Sequence, residues 1–169
     1  MKQLIGSLLG LSLLVVTPVV AESEHHSAHE AHENPLSEMG QVITCQAMHL
    51  VLSHLDLEIA VGASLDGHTP EAVVTAHVAL ANAELQKAKN ISKVEREALT
   101  PTLLARGLSQ EVIDKQTGEL LENTVNDISS VIHNVAIDPA ELRSAIILLQ
   151  GQSSACDKFV AETDAHHTI

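Results

Sequence analysis

The sequence predicts an all-α protein, an antiparallel up-down-up-down four-helix bundle with disordered, histidine-rich termini. Three observations lead there. Apolar residues recur at alternating intervals of three and four, the period of a helix face. Four segments of similar length are bounded by proline, glycine and capping residues. Strand signals are missing: no period-two alternation is sustained, and the 169 residues include one Phe and no Trp or Tyr.

The first helix is expected to open at Asn34-Pro35, a capping residue followed by proline at the first helical position. It should cover about residues 35–63, stopping before Leu65-Asp66-Gly67. The second opens at Thr69-Pro70-Glu71, is rich in alanine and covers about residues 71–98, ending before Thr100-Pro101. A connector holding Pro101 and Gly107 follows, and Ser109 caps a third helix of about residues 110–135. In the fourth, about residues 139–161, Asp138 and Glu141 stand at capping-box spacing.

Three seams are expected to face the core. They are Cys45, Met48, Leu52, Leu55 and Ile59 on the first helix, and Leu121, Val125, Ile128, Ile132 and Val135 on the third. On the fourth they are Leu142, Ile146, Leu149, Ser153, Cys156 and Val160. Short connections between helices one and two, and between three and four, force antiparallel neighbours. Cys45 then lies about 18 residues before the end of the first helix, and Cys156 about 17 after the start of the fourth, so 1.5 Å of rise per residue sets them at one height. A Cys45–Cys156 disulfide is the geometric prediction.

The chain is expected to be exported. Met1-Lys2-Gln3 gives a positive start, residues 4–16 an apolar run, and Pro18-Val19-Val20-Ala21 a cleavage site, so residues 1–21 read as a signal peptide. No second apolar stretch of about 20 residues is expected, hence no stable membrane span after cleavage. The remaining divisions are a flexible tail over 22–34, the bundle over 35–163 and a histidine-containing tail over 164–169. The expected location is periplasmic or secreted, where two cysteines without C-x-x-C spacing pair by default.

A net charge of −13 repels nucleic acid and anionic lipid and favours cations, and one aromatic ring offers no platform for stacking bases. Residues 22–33 place His25, His26, His29 and His32 among Glu22, Glu24, Glu30 and Glu33, and His166-His167 repeat the chemistry at the other end. Neutral imidazoles suit copper, zinc and nickel, and the carboxylates add field and oxygen donors. Antiparallel topology brings both clusters to one pole. They are the candidate ligands of a copper or zinc ion, with buffering, sensing or delivery of that metal the expected role. An amino-terminal copper motif requires histidine at mature position three, whereas cleavage after Ala21 leaves His25 at position four.

A second site is conceivable from His68, His77 and His133, near the first turn; histidines scattered over separate helices more often serve as surface or locally bonded residues. His49 is expected to flank the core stripe and His54 to point outward. Met39 and Met48 are soft donors for cuprous copper, though Met48 on its seam reads as core. The paired Glu-x-x-His of di-iron bundles, H-E-x-x-H, a phosphate loop and a nucleophile with a placed base are all missing, so no enzyme is expected. The competing expectation is a structural or protein-interaction bundle with incidental tails, which should expose apolar surface beyond its inward seams.

Overall fold

The structure is a computed structural model that describes residues 34–136 and 138–167. All regular elements among them are helical: α1 Pro35–Asp66, α2 Glu71–Val94, a π-helical turn Glu95–Leu99, α3 Thr100–Ala105, α4 Gln110–Val135 and α5 Pro139–His167. The signal peptide and the tail carrying His25, His26, His29 and His32 lie outside the described residues.

Local chemistry sets most of the boundaries. Asn34 caps α1 by accepting from the Leu36 amide at 3.2 Å, with Pro35 in the first turn. The helix ends at Gly67, whose φ of 66° is the left-handed conformation glycine adopts without a Cβ penalty. Asp66 then closes the turn, accepting from the amides of His68 and Thr69 and from the Thr69 hydroxyl. Those bonds hold its carboxyl below the usual carboxylate range, the Thr69 hydroxyl first among them. Ser109 accepts from the Val112 amide at the start of α4, and Asp138 from the Ala140 and Glu141 amides at the start of α5.

Two boundaries depart from expectation. The second helix does not stop before Pro101: the chain passes through the π turn and continues as α3. Thr100 returns both its amide and its hydroxyl to the Glu95 carbonyl. Pro101 has no N–H to give, and it sits in the first turn of α3, where none is needed. That helix ends in a Schellman motif, with Gly107 N donating to Leu104 O and Leu108 N to Leu103 O. At the other end of the chain α5 runs on to His167, so Asp164, His166 and His167 belong to a helix and not to a loose tail. Thr163, buried against the body, carries the helix past Ala161.

The packing centres on α1, which contacts α2, α4 and α5, most extensively α2; among the described residues no substantial contact joins α2 to α4. In a square bundle the second and third long helices would be neighbours. The sequence seam on α1 is correspondingly too narrow. Val42, Ile43, Cys45, Ala47, His49, Val51 and Leu52 are all buried, and at 3.6 residues per turn they occupy every side of the helix. Ile59, expected in the core, is 40% exposed. The seams of α4 and α5 are met better, with Ile128, Ile132, Leu149, Ser153, Cys156 and Val160 buried.

Contacts between α1 and α2 run in opposite directions: His49 with Glu84, Ser53 Oγ donating to the Ala81 carbonyl at 2.8 Å, Asp56 with His77. The predicted disulfide is present, joining Cys45 to Cys156 with their Cα atoms 5.3 Å apart. Met48 Sδ lies 3.9 Å from Cys156 Sγ. The bridge sits inside the larger apolar cluster, with Met39, Val42, Ile43, Ile91, Leu99, Leu103, Ile113 and Val160. A smaller cluster of Ala47, Val51, Leu52, Ile128 and Leu149 lies farther along α1.

Beyond Leu52, Ala60 is the single buried residue of α1, and α2 buries nothing before Ala81. Leu57, Val61, Leu65, Val73 and Leu80 are exposed there. Among the described residues α1 alone is long and apolar enough to cross a membrane. Length and composition alone meet that criterion, and a core helix meets it too. Glu38, His49 and Asp56 interrupt its apolar character with groups that pair to other helices.

Candidate functional site

Two polar constellations stand out. The first is built around His49, which is 0% exposed in α1. Its Nδ1 donates to Glu84 Oε2 of α2 at 2.5 Å. Its Nε2 lies 3.1 Å from Asp157 Oδ1 of α5, but the approach is oblique and no hydrogen bond forms. Lys87 closes the group, 3.3 Å from Glu84 Oε1 and 3.0 Å from Asp157 Oδ2. Burial alone would pull the Lys87 ammonium down; the Asp157 hydrogen bond and the charges of Glu84 and Asp157 outweigh it and hold its pKa above the ordinary lysine value.

A histidine oriented by one carboxylate is half of an acid–base relay. Here the second nitrogen faces another carboxylate instead of a hydroxyl or thiol, and the ring is sealed from solvent. The ammonium of Lys87 also opposes any cation at this point. The group therefore acts as a buried interlock that ties α1, α2 and α5 together one turn from the disulfide. A groove of about 200 Å³ runs beside it between α2 and α5, lined by Lys87, Asn90, Ile91, Val94, Asp157 and Val160 among others. Small-molecule pockets typically measure about 300–1,000 Å³.

The second constellation lies at the pole where α1 begins and α5 ends. Glu38, in the first turn of α1, is 3% exposed, and its Oε2 accepts from His167 Nε2 at 3.1 Å. His166 is exposed on the same final turn of α5. The chain bearing the histidine-rich segment joins the helical body at Asn34, four residues ahead of Glu38.

No protein-family model, curated protein or solved structure matches this chain. Function must therefore be argued from its own residues.

The other candidate histidines are dispersed. His68 is exposed in the turn after α1, and His133 is exposed in the last turn of α4. His77 is half-buried and its Nδ1 is 2.8 Å from Asp56 Oδ1. His54 faces outward beside Glu58 at 3.2 Å. Among the described residues no group of three or more His, Cys, Asp or Glu side chains is arranged to hold a metal ion, the trio His68, His77 and His133 included. Met39 is buried in the apolar cluster, and Met48 packs partly buried against it.

The sequence reading missed the His49 interlock and the role of Glu38. For His49 the only local trace was Glu84 and Lys87 at i,i+3 spacing; the partners on α1 and α5 are 35 and 73 residues from Glu84. Glu38 carries no local signal beyond that of an acidic residue in a first helical turn, which favours the helix dipole.

Proposed function

We propose that this protein is an exported, disulfide-clamped helical domain that binds a divalent transition metal, copper or zinc, for buffering, sensing or delivery in the periplasm or outside the cell. His25, His26, His29 and His32 are the primary ligands, with His166 and His167 contributing from α5. The role is non-enzymatic. The observation that supports it best is the contact of Glu38 with His167, because it brings the end of α5 to the first turn of α1, where the histidine-rich chain enters the fold. The Cys45–Cys156 bridge suits an oxidising compartment, and the −13 charge suits a cationic ligand. We also infer that the four long helices alternate in direction, which fits the opposed contacts of α1 with α2 and the short turns after α1 and α4.

Calorimetric titration of the exported chain with zinc and with copper, beside a variant lacking residues 22–33, tests this reading. Saturable binding by the intact chain that disappears in the truncation is the expected result. Absent binding, or equally weak binding by both chains, would overturn it.

A second reading rests on the exposed apolar residues of the α1–α2 hairpin, with Leu65 at 81% and Val61 at 53%. Scattered apolar exposure is ordinary, but several such residues on one hairpin mark a surface for protein contact. Under this reading the bundle docks a partner and the histidines are incidental.

A further inference from the structure

The α1–α2 hairpin has one side that its own chain covers only in part. The residues of α1 that meet α2 are His49, Ser53 and Asp56, and Leu52 packs in one cluster with Leu149 of α5. At about 100° per residue, Leu57 lies about 140° round the helix from Leu52, and Val61 and Leu65 continue from it at four-residue steps. On α2, Val78 stands about half a revolution from Lys87, whose ammonium meets Asp157 of α5. Leu57, Val61 and Val78 thus border the side of the hairpin that faces away from α5, and all three are exposed, as is Leu65. Half-buried Leu50 and Val74 extend the two rows. Nearer the disulfide the chain covers this same side itself: Ile43, within about 40° of Leu57 on the helix, is buried with Leu99 of the π turn and Leu103 of α3. Farther along, among the described residues, α2 and α4 make no substantial contact and the side stays open.

Charge selects what fits there. Between Asn34 and Gln86 the sequence has no Lys or Arg, while its carboxylates are Glu38, Asp56, Glu58, Asp66, Glu71 and Glu84. Glu58 precedes Val61 by one turn on α1 and Glu71 precedes Val74 by one turn on α2, so each apolar row has an exposed carboxylate beside it. A second copy of the chain would bring these like charges face to face, and an anionic lipid surface would be repelled. We propose that this side of the α1–α2 hairpin docks an amphipathic helix of a partner protein, one whose apolar stripe is flanked by Lys or Arg. Leu50 to Leu65 spans about 22 Å at 1.5 Å per residue, the length of a helix of about 15 residues. Apolar anchors on one face of such a helix would fill the groove, and its flanking cations would meet Glu58 and Glu71 and fix its orientation. This rests on the protein-contact reading above and makes it specific, and it holds whether or not the chain takes a metal.

The test uses the full exported chain, labelled with ¹⁵N, and a synthetic helical peptide of about 15 residues with leucine on one face and lysine on both flanks. A peptide with glutamate in place of lysine, and a scrambled form of the lysine peptide, are the controls. The lysine peptide should saturate the chain and shift amide resonances around residues 57–65 and 74–78, and calorimetry should show both controls weaker by about tenfold or more. Leu57→Ser with Val61→Ser, two exposed positions, should weaken the lysine peptide about tenfold while circular dichroism shows the fold retained. Glu58→Lys with Glu71→Lys should transfer the preference to the glutamate peptide. Lysine-peptide binding that neither double variant alters, or shifts spread over the whole acidic surface, would overturn the inference. A dimer in sedimentation that the serine variant dissolves would give the stripe to a second copy, overturning the inference and leaving the protein-contact reading standing. Hairpin resonances that no peptide shifts, or binding to phosphatidylcholine vesicles that the serine variant loses, would overturn both.

Discussion

Replacing Cys45 and Cys156 together by alanine should cost most of what the bridge contributes to the unfolded-state balance. The cross-link closes a loop between cysteines 111 residues apart. In the chain-entropy model, a loop of that length removes about 16 cal/mol/K from the unfolded ensemble, or about 4.8 kcal/mol at 25 °C. Both cysteines are buried in the larger apolar cluster, and alanine keeps that environment apolar. The chain lacks Trp and Tyr, so unfolding is best followed by helical ellipticity in urea rather than by fluorescence. With a slope near 2 kcal/mol per molar, the midpoint should fall by about 2.4 M. If the variant is already unfolded in buffer, the same difference can be read by refolding it with a protecting osmolyte. A loss below about 1 kcal/mol would refute the reasoning: the unfolded chain would then keep its ends together without the bond.

His49→Ala should destabilise the protein by about 2–4 kcal/mol, because it leaves a cavity and strips Glu84 of its imidazole donor. His54→Ala, which removes an exposed i,i+4 pair with Glu58, should cost less than about 0.5 kcal/mol. Equal losses in urea titrations of the two variants would show that the interlock is not one. Glu95 gives a pH dependence. Burial raises its pKa above the usual glutamate value and the Asp114 charge adds to this, while Arg96 and a Thr117 hydrogen bond oppose it. The folded protein thus keeps that proton longer than the unfolded chain does. Stability through this group is greatest below the unfolded value and declines as pH rises through the folded one. Glu95→Gln should therefore be the more stable protein at pH 7, by less than about 1 kcal/mol given the group's partial exposure, with the advantage vanishing near pH 4. An advantage that grows toward acid would contradict the sign.

Features set within one helical turn were legible in the sequence. Asn34-Pro35, Ser109 and Asp138 open helices because their side chains reach amides two or three residues away, and no tertiary partner is needed. The disulfide was legible for a different reason: a helix has a fixed rise, so residue counts from two turns measure height. What a single periodicity could not reveal is that α1 is surrounded. A stripe pattern presumes one buried face, and α1 buries residues on all sides between Met39 and Leu52. The passage through Pro101 was hidden because proline ordinarily stops a helix, and only the preceding π turn lets this one continue. The pole of the candidate metal site was partly visible, in His166 and His167. Its carboxylate was not, since Glu38 and His167 are 129 positions apart and nothing in their own neighbourhoods links them.

The uneven distribution of packing along α1 also says where the molecule comes apart. Its covalent bridge and its larger apolar cluster share one end, while the turn around Gly67 is bordered by residues with little to hold them. Thermal fluctuations should separate the hairpin from that turn inward, with the cystine as the last point of attachment. Amide hydrogens near Val61 and Val73 would then exchange with solvent long before those near Val42, and a protease that nicks the turn would leave two fragments. The amino-terminal piece would still be fastened to the rest through sulfur.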